Sequence, residues 1–154
     1  MSSASWSWVG PYTDAFELVQ FYIMASEADT IVTLPDRSTR TIGIGESLTI
    51  TVIEADKITS DKPVQVDLIT GDKDSEYEHR WYSLRPTSDW STSYIAPMGD
   101  TEAATRIVLF NPNGALLSVR VDYRNVEGQK KNYRIDVPAG QSKFTAVIPT
   151  SSAA

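Results

Sequence analysis

Two stretches of this 154-residue chain follow one order of residues, and that order constrains the fold more than any other feature. Residues 21–34 read FYIMASEADTIVTL and residues 107–120 read IVLFNPNGALLSVR: an apolar run, a small-polar turn, then alternation. Further on, GESLTITVI at 45–53 is answered by GQSKFTAVI at 140–148. The offset is 86 residues at the first pair and 95 at the second, so copy two carries nine extra residues, expected around Arg124 to Lys131. A repeated unit of short strands is the mark of an all-β architecture.

Period-two alternation agrees. Runs such as 30–34, 48–52, 64–68, 106–110, 118–123 and 143–147 each set apolar residues on one face and are rich in Thr, Val and Ile, the residues that suit a pleated surface. Turn formers separate them, and Asn113-Gly114 reads as the strongest, because both residues tolerate the positive φ of a tight turn. The expected fold is an antiparallel β-sandwich-like domain of two related four-stranded units, the second incomplete, each an antiparallel meander burying its face on the other. The expected division is an N-terminal segment 1–17, unit one over 18–70, a linker over 71–104 and unit two over 105–154. Alternation points Ile31, Leu48, Ile50, Val64, Val66, Leu109, Val119, Val121, Phe144 and Ala146 into cores. Unit two stops at Ile148-Pro149 without a counterpart of the 64–69 strand, so residues 6–9, the strand near Phe16–Ile23 or the same segment of a neighbouring chain are expected to close its edge.

Composition narrows the chemistry. A net charge of −6 with scattered basic residues argues against nucleic acid, which needs clustered Lys and Arg; only Lys130-Lys131 stand together. With no cysteine and one histidine, the chain offers no disulfide scaffold, thiol nucleophile or zinc ribbon. No run approaches the roughly 18 apolar residues of a membrane span, and the first residues lack a charged stretch followed by an apolar core. Met1-Ser2-Ser3-Ala4-Ser5 reads as an expression start on an excised segment.

The run Ile58-Thr59-Ser60-Asp61-Lys62-Pro63-Val64-Gln65-Val66 leads into an aromatic linker with Leu84-Arg85-Pro86, Trp90-Ser91-Thr92-Ser93-Tyr94 and Ile95-Ala96-Pro97. This order resembles the N-terminal β-repeat domain of IgGFc-binding proteins and its bacterial extracellular relatives, over about residues 20–150. The linker departs from that pattern, with Leu-Arg-Pro and Trp-Ser in place of Pro-Pro and Trp-Gly. The resemblance implies a secreted or surface-attached module used for binding and adhesion, without enzymatic residues.

The residues themselves give two candidate sites. Trp81, Tyr82, Trp90 and Tyr94 fall within fourteen positions. Exposed, they make a platform for sugar rings or a protein partner; buried, they plug the ends of the sheets. Asp72, Asp74 and Glu76 alternate in a loop after Gly71, as carboxylates do around calcium, although Tyr77 stands where an EF-hand loop has its glycine. His79 has no nucleophile context around it, and no catalytic residues are assigned. The expected function is a non-enzymatic extracellular or cell-surface module mediating protein–protein interaction or self-assembly through a sheet edge. The alternative is a carbohydrate-binding module assisted by calcium.

Overall fold

A computed structural model describes residues 6–10, 16–74, 79–95, 107–125 and 127–148. The protein is all-β; the described residues form four antiparallel sheets, and the only helical element among them is one 3-10 turn at Thr87–Asp89. The chain divides into two compact units, Met1–Ser91 and Thr92–Ala154.

Unit one holds β1 (Trp6–Val9), β2 (Leu18–Ala25), β3 (Thr30–Thr33), β4 (Thr39–Ile42), β5 (Ser47–Thr51), β6 (Lys57–Ser60), β7 (Val64–Gly71) and β8 (Arg80–Leu84). They form two four-stranded sheets, ordered β1-β6-β3-β4 and β5-β2-β7-β8. Trp8, Val32, Ile42 and Ile58 from the first sheet join Val19, Phe21, Ile23, Ala25, Val66 and Leu68 from the second in one buried cluster. The sandwich of unit one is therefore closed between its own two sheets.

Connectivity also departs from a meander. The turn after β2 carries the chain to the other sheet, so β2 pairs with β5 and β7 while β3 pairs with β4 and β6. A single meander would bury only one side of each hairpin, whereas alternating between sheets gives every apolar face a facing partner. Residues 6–9 belong to this unit as well: β1 lies antiparallel on β6 at the edge of the first sheet.

Unit two contains β9 (Val108–Phe110), β10 (Leu117–Arg124), β11 (Lys130–Val137) and β12 (Ser142–Phe144). They repeat β2 to β5: the first strand pairs with the fourth and the second with the third. Even the register is kept. Met24 faces Ser47 in copy one, and Phe110 faces Ser142 in copy two, the residues that the 86- and 95-residue offsets match. The turn before the fourth strand has the same backbone bonds, from Gly45 N–H to the Ala25 carbonyl (3.0 Å) and from Gly140 N–H to the Asn111 carbonyl (2.9 Å). Both glycines take positive φ, 73° and 65°, the conformation only glycine adopts without strain. Eight of the nine extra residues lengthen the hairpin, since β10 and β11 have eight residues each where β3 and β4 have four.

Burial corrects three expected core positions. Leu48, Ile50 and Val64 pack partly against the unit-one core, Val66 and Val121 are buried, and Leu109 and Val119 are half-buried. Ile31 is 42% exposed, however, and Phe144 and Ala146 also face out. In each case a neighbouring threonine turns inward instead. Thr30 donates its hydroxyl to the Glu27 carbonyl (2.8 Å), and Thr145 Oγ1 accepts from the Ile107 N–H (2.9 Å). A satisfied hydroxyl removes the main cost of burying threonine. Asn113-Gly114 does not take positive φ either; the loop is organised by buried Asn111, whose amide donates to the carbonyls of Ala115 and Val137.

The Ile58–Val66 run has a structural reason. Ser60 Oγ donates to the Lys62 carbonyl, Asp61 accepts from the Ile31 N–H (2.8 Å), and Lys62 Nζ donates to the Ala28 carbonyl. The first bond is internal to the β6–β7 turn, and the other two tie it to the β2–β3 turn and the start of β3. At the opposite end, Gly10 lies so close to the β5–β6 turn that a Cβ would overlap the Ile53 carbonyl oxygen. Gly10→Ala is expected to cost about 1–3 kcal/mol, as overpacking does, read as a lower urea midpoint at unchanged slope.

Candidate functional site

The outward face of the β5-β2-β7-β8 sheet gathers what the sequence scatters. Period-two geometry sends Phe21, Ile23, Val66 and Leu68 to the core and Gln20, Tyr22, Met24, Gln65, Asp67 and Ile69 to the other side. Register then sets them in rows: Thr49, Tyr22, Asp67 and Ser83 across the four strands, beside Thr51, Gln20, Ile69 and Trp81. Tyr22 and Trp81 stand on β2 and β8 with β7 between them, a backbone separation of about 10 Å. Their rings nevertheless meet, with centroids 5.7 Å apart and planes at 44°. The two side chains thus lean over β7 and roof it.

Beneath that roof sits Asp67, only 7% exposed although it lies on the outer face. Its carboxylate accepts from Ser83 Oγ (2.7 Å) and Gln65 Nε2 (2.9 Å). Burial pushes its pKa up, but side-chain hydrogen bonds from Ser83, Trp81 and Gln65 together outweigh it and hold the group below the ordinary carboxylate range. Such a group stabilises the fold above the unfolded-state pKa and loses that contribution as pH falls through the folded one. The stability gap between wild type and Asp67→Asn is therefore expected to be widest near neutrality and to shrink below about pH 4. Urea titrations of both proteins across pH 2–7 (on the order of one unit per step) measure it, and parallel curves would contradict the assignment.

Two of the four aromatics named from the sequence do not share a face. Trp81 and Tyr82 are consecutive on β8 and point to opposite faces, Trp81 beside Ile69 and Tyr82 beside Leu68. Trp81 is 59% exposed and Tyr82, on the edge strand, is also exposed. Trp90 follows the 3-10 turn and donates its indole N–H towards the Arg85 carbonyl (3.4 Å), while Tyr94 belongs to the second unit and is exposed. Tyr22, which the sequence reading passed over, is the ring that joins Trp81. Its signal was present: it is a polar-tipped aromatic between Gln20 and Met24 on the solvent side of β2.

Asp72 and Asp74 lie in the turn after β7, half-buried and exposed, and Glu76 falls outside the described residues. Among the described residues, no three His, Cys, Asp or Glu come close enough to hold a metal ion. His79 is exposed just before β8. Also among the described residues, no helix is long and apolar enough to cross a membrane.

No protein-family model, curated protein or solved structure matches this chain.

Proposed function

We propose that this chain is a non-enzymatic extracellular or cell-surface β-module whose task is adhesion, through protein–protein contact or self-assembly. The observation that carries this reading is the aromatic roof. Trp81 and Tyr22 (37% exposed) keep ring surface in water at the middle of a sheet face, with exposed Met24 on the same side. Large rings exposed together bury much area at low entropic cost when a partner covers them, which is why Trp and Tyr dominate binding hot spots. The resemblance to extracellular β-repeat domains, borne by the Ile58–Val66 run and the linker, supports the same reading.

A carbohydrate partner is the second reading, and the polar frame of the roof favours it. Gln65 and Ser83 lie beside the tilted rings, an arrangement in which a sugar stacks its C–H face and bonds its hydroxyls.

One paired experiment tests both: wild type and a Tyr22→Ala/Trp81→Ala variant, applied to arrays of extracellular-matrix proteins and of glycans. Binding to matrix proteins that the double variant loses supports adhesion by protein contact. Ring-dependent retention on glycans alone assigns the second reading. Binding indifferent to both rings, with the variant folded, rejects the site.

A further inference from the structure

We propose that the charged face of the β10–β11 ribbon docks on the acidic end of unit one in a second copy, joining chains head to tail. This deepens the self-assembly side of the proposed function but uses a surface separate from the aromatic roof. The starting observation is a set of pairings that a sheet ordinarily avoids. Arg120 stands directly opposite Arg134, and Arg124 directly opposite Lys130. Cross-strand neighbours sit roughly 5 Å apart, and like charges there are destabilising. All four cations are exposed on one face, and the two pairs are separated by about 13 Å along the ribbon.

Only two carboxylates share that face. Asp122 is bound to Arg120 (2.8 Å), and Asp136 lies opposite Ser118 at the other end of the ribbon. The opposite face carries Val119, Val121, Tyr133, Ile135 and Val137, buried or half-buried, with exposed Leu117 and Lys131 at its two ends. The ribbon thus turns its apolar side inward and leaves a net positive side to solvent. Unit two carries seven Lys and Arg against five Asp and Glu, a formal charge of +2. Unit one carries seven against fifteen, or −8.

The complementary surface is the end of unit one built from the β2–β3, β4–β5 and β6–β7 turns. Hydrogen bonds from Gly45 N–H to Ala25, from Ser26 Oγ to Pro63 and from Lys62 Nζ to Ala28 hold those three turns together. They present Glu27, Asp29, Glu46 and Asp61, all exposed, with Lys62 the one base among them. A second copy meets both requirements at once, because each chain carries one surface of each sign. The two surfaces are different, so the contact is heterologous, and it extends into an open chain unless the rotation closes it into a ring.

The test is sedimentation of the full chain with two neutralised variants, Lys130→Gln/Arg134→Gln for the ribbon and Glu27→Gln/Asp29→Asn for the acidic end. Asp29 takes positive φ (52°), which asparagine also tolerates, so that variant keeps the turn. Wild type is expected to grow in mass with concentration at about 0.01 M salt and to weaken by about tenfold or more near 1 M, where the screening length falls from about 30 Å to about 3 Å. Each variant alone should stay monomeric. Mixed, they should form a one-to-one pair that does not grow, since only one matched contact survives. The Tyr22→Ala/Trp81→Ala variant should assemble as wild type does, which separates failure of this contact from failure of the aromatic site. A wild type that stays monomeric up to about 1 mM in low salt, or assembles regardless of salt and of both variants, overturns the proposal. Retention of monomeric wild type on immobilised polyglutamate would also overturn it and give the ribbon to another anion.

Discussion

Phe21→Ala is expected to remove about 3–5 kcal/mol from the stability of unit one, the range for deleting a fully buried aromatic side chain. Phe21 is fully buried on β2, the strand that holds β5 on one side and β7 on the other. Ile50 and Leu68 flank it across those two ladders, and the residues facing it come from the opposite sheet. Its loss leaves a cavity that four strands would have to shift to fill. Since a domain is usually stable by only about 5–15 kcal/mol, the variant should melt far below wild type or fail to fold at ambient temperature. Ile31→Ala is the control. That side chain is as apolar as many in the core, yet it faces solvent on β3, and its removal should change stability by no more than about 0.5 kcal/mol. Urea unfolding of the two variants side by side decides it. If the isoleucine proved the costlier residue, the assignment of faces in β3 would be inverted.

That contrast shows what the sequence made legible. Strand content, the repeat and the turn glycines Gly45 and Gly140 could be read directly, because period-two alternation and positive φ leave local marks. Face assignment failed where threonine was counted as polar and therefore outward. In Thr30-Ile31-Val32 both parities place an apolar residue, and a local hydrogen bond from the Thr30 hydroxyl decides between them. Pairing order was hidden for a different reason. Which sheet a turn feeds depends on the face its neighbours must cover, a nonlocal requirement that makes β2 pair with β5 and β7 and not with β3. The candidate site suffered from the same limit. Alternation does send Asp67 outward, but only the register of β8 brings Trp81 across to Tyr22 and buries the carboxylate beneath them.

Asn111→Ala is expected to destabilise unit two by about 2–4 kcal/mol, the net loss of three hydrogen bonds, one of them to a buried carbonyl. Repeat one has an alanine, Ala25, at the matching position, with the same pair of backbone bonds to the following turn, so the backbone itself accepts the change. What copy two adds is a side chain. Asn111 Nδ2 donates to the carbonyls of Ala115 (2.8 Å) and Val137 (2.9 Å), and its Oδ1 accepts from the Asn113 N–H (3.0 Å). The Ala115 carbonyl is on an exposed residue and water can replace the amide there. Val137 is fully buried, and its carbonyl loses this donor without such a substitute. Asn111→Asp sharpens the test, because an ionised carboxylate aimed at two carbonyl oxygens is worse than a missing side chain. Burial raises the pKa of that introduced acid, so the aspartate variant should be the least stable near neutrality and recover relative to alanine as pH falls and protonation restores a donor. Amide hydrogen exchange across β10 and β11 measures the effect where it arises. Protection unchanged in Asn111→Ala, or an aspartate variant whose deficit does not move with pH, would show that the loop is held by something other than this amide.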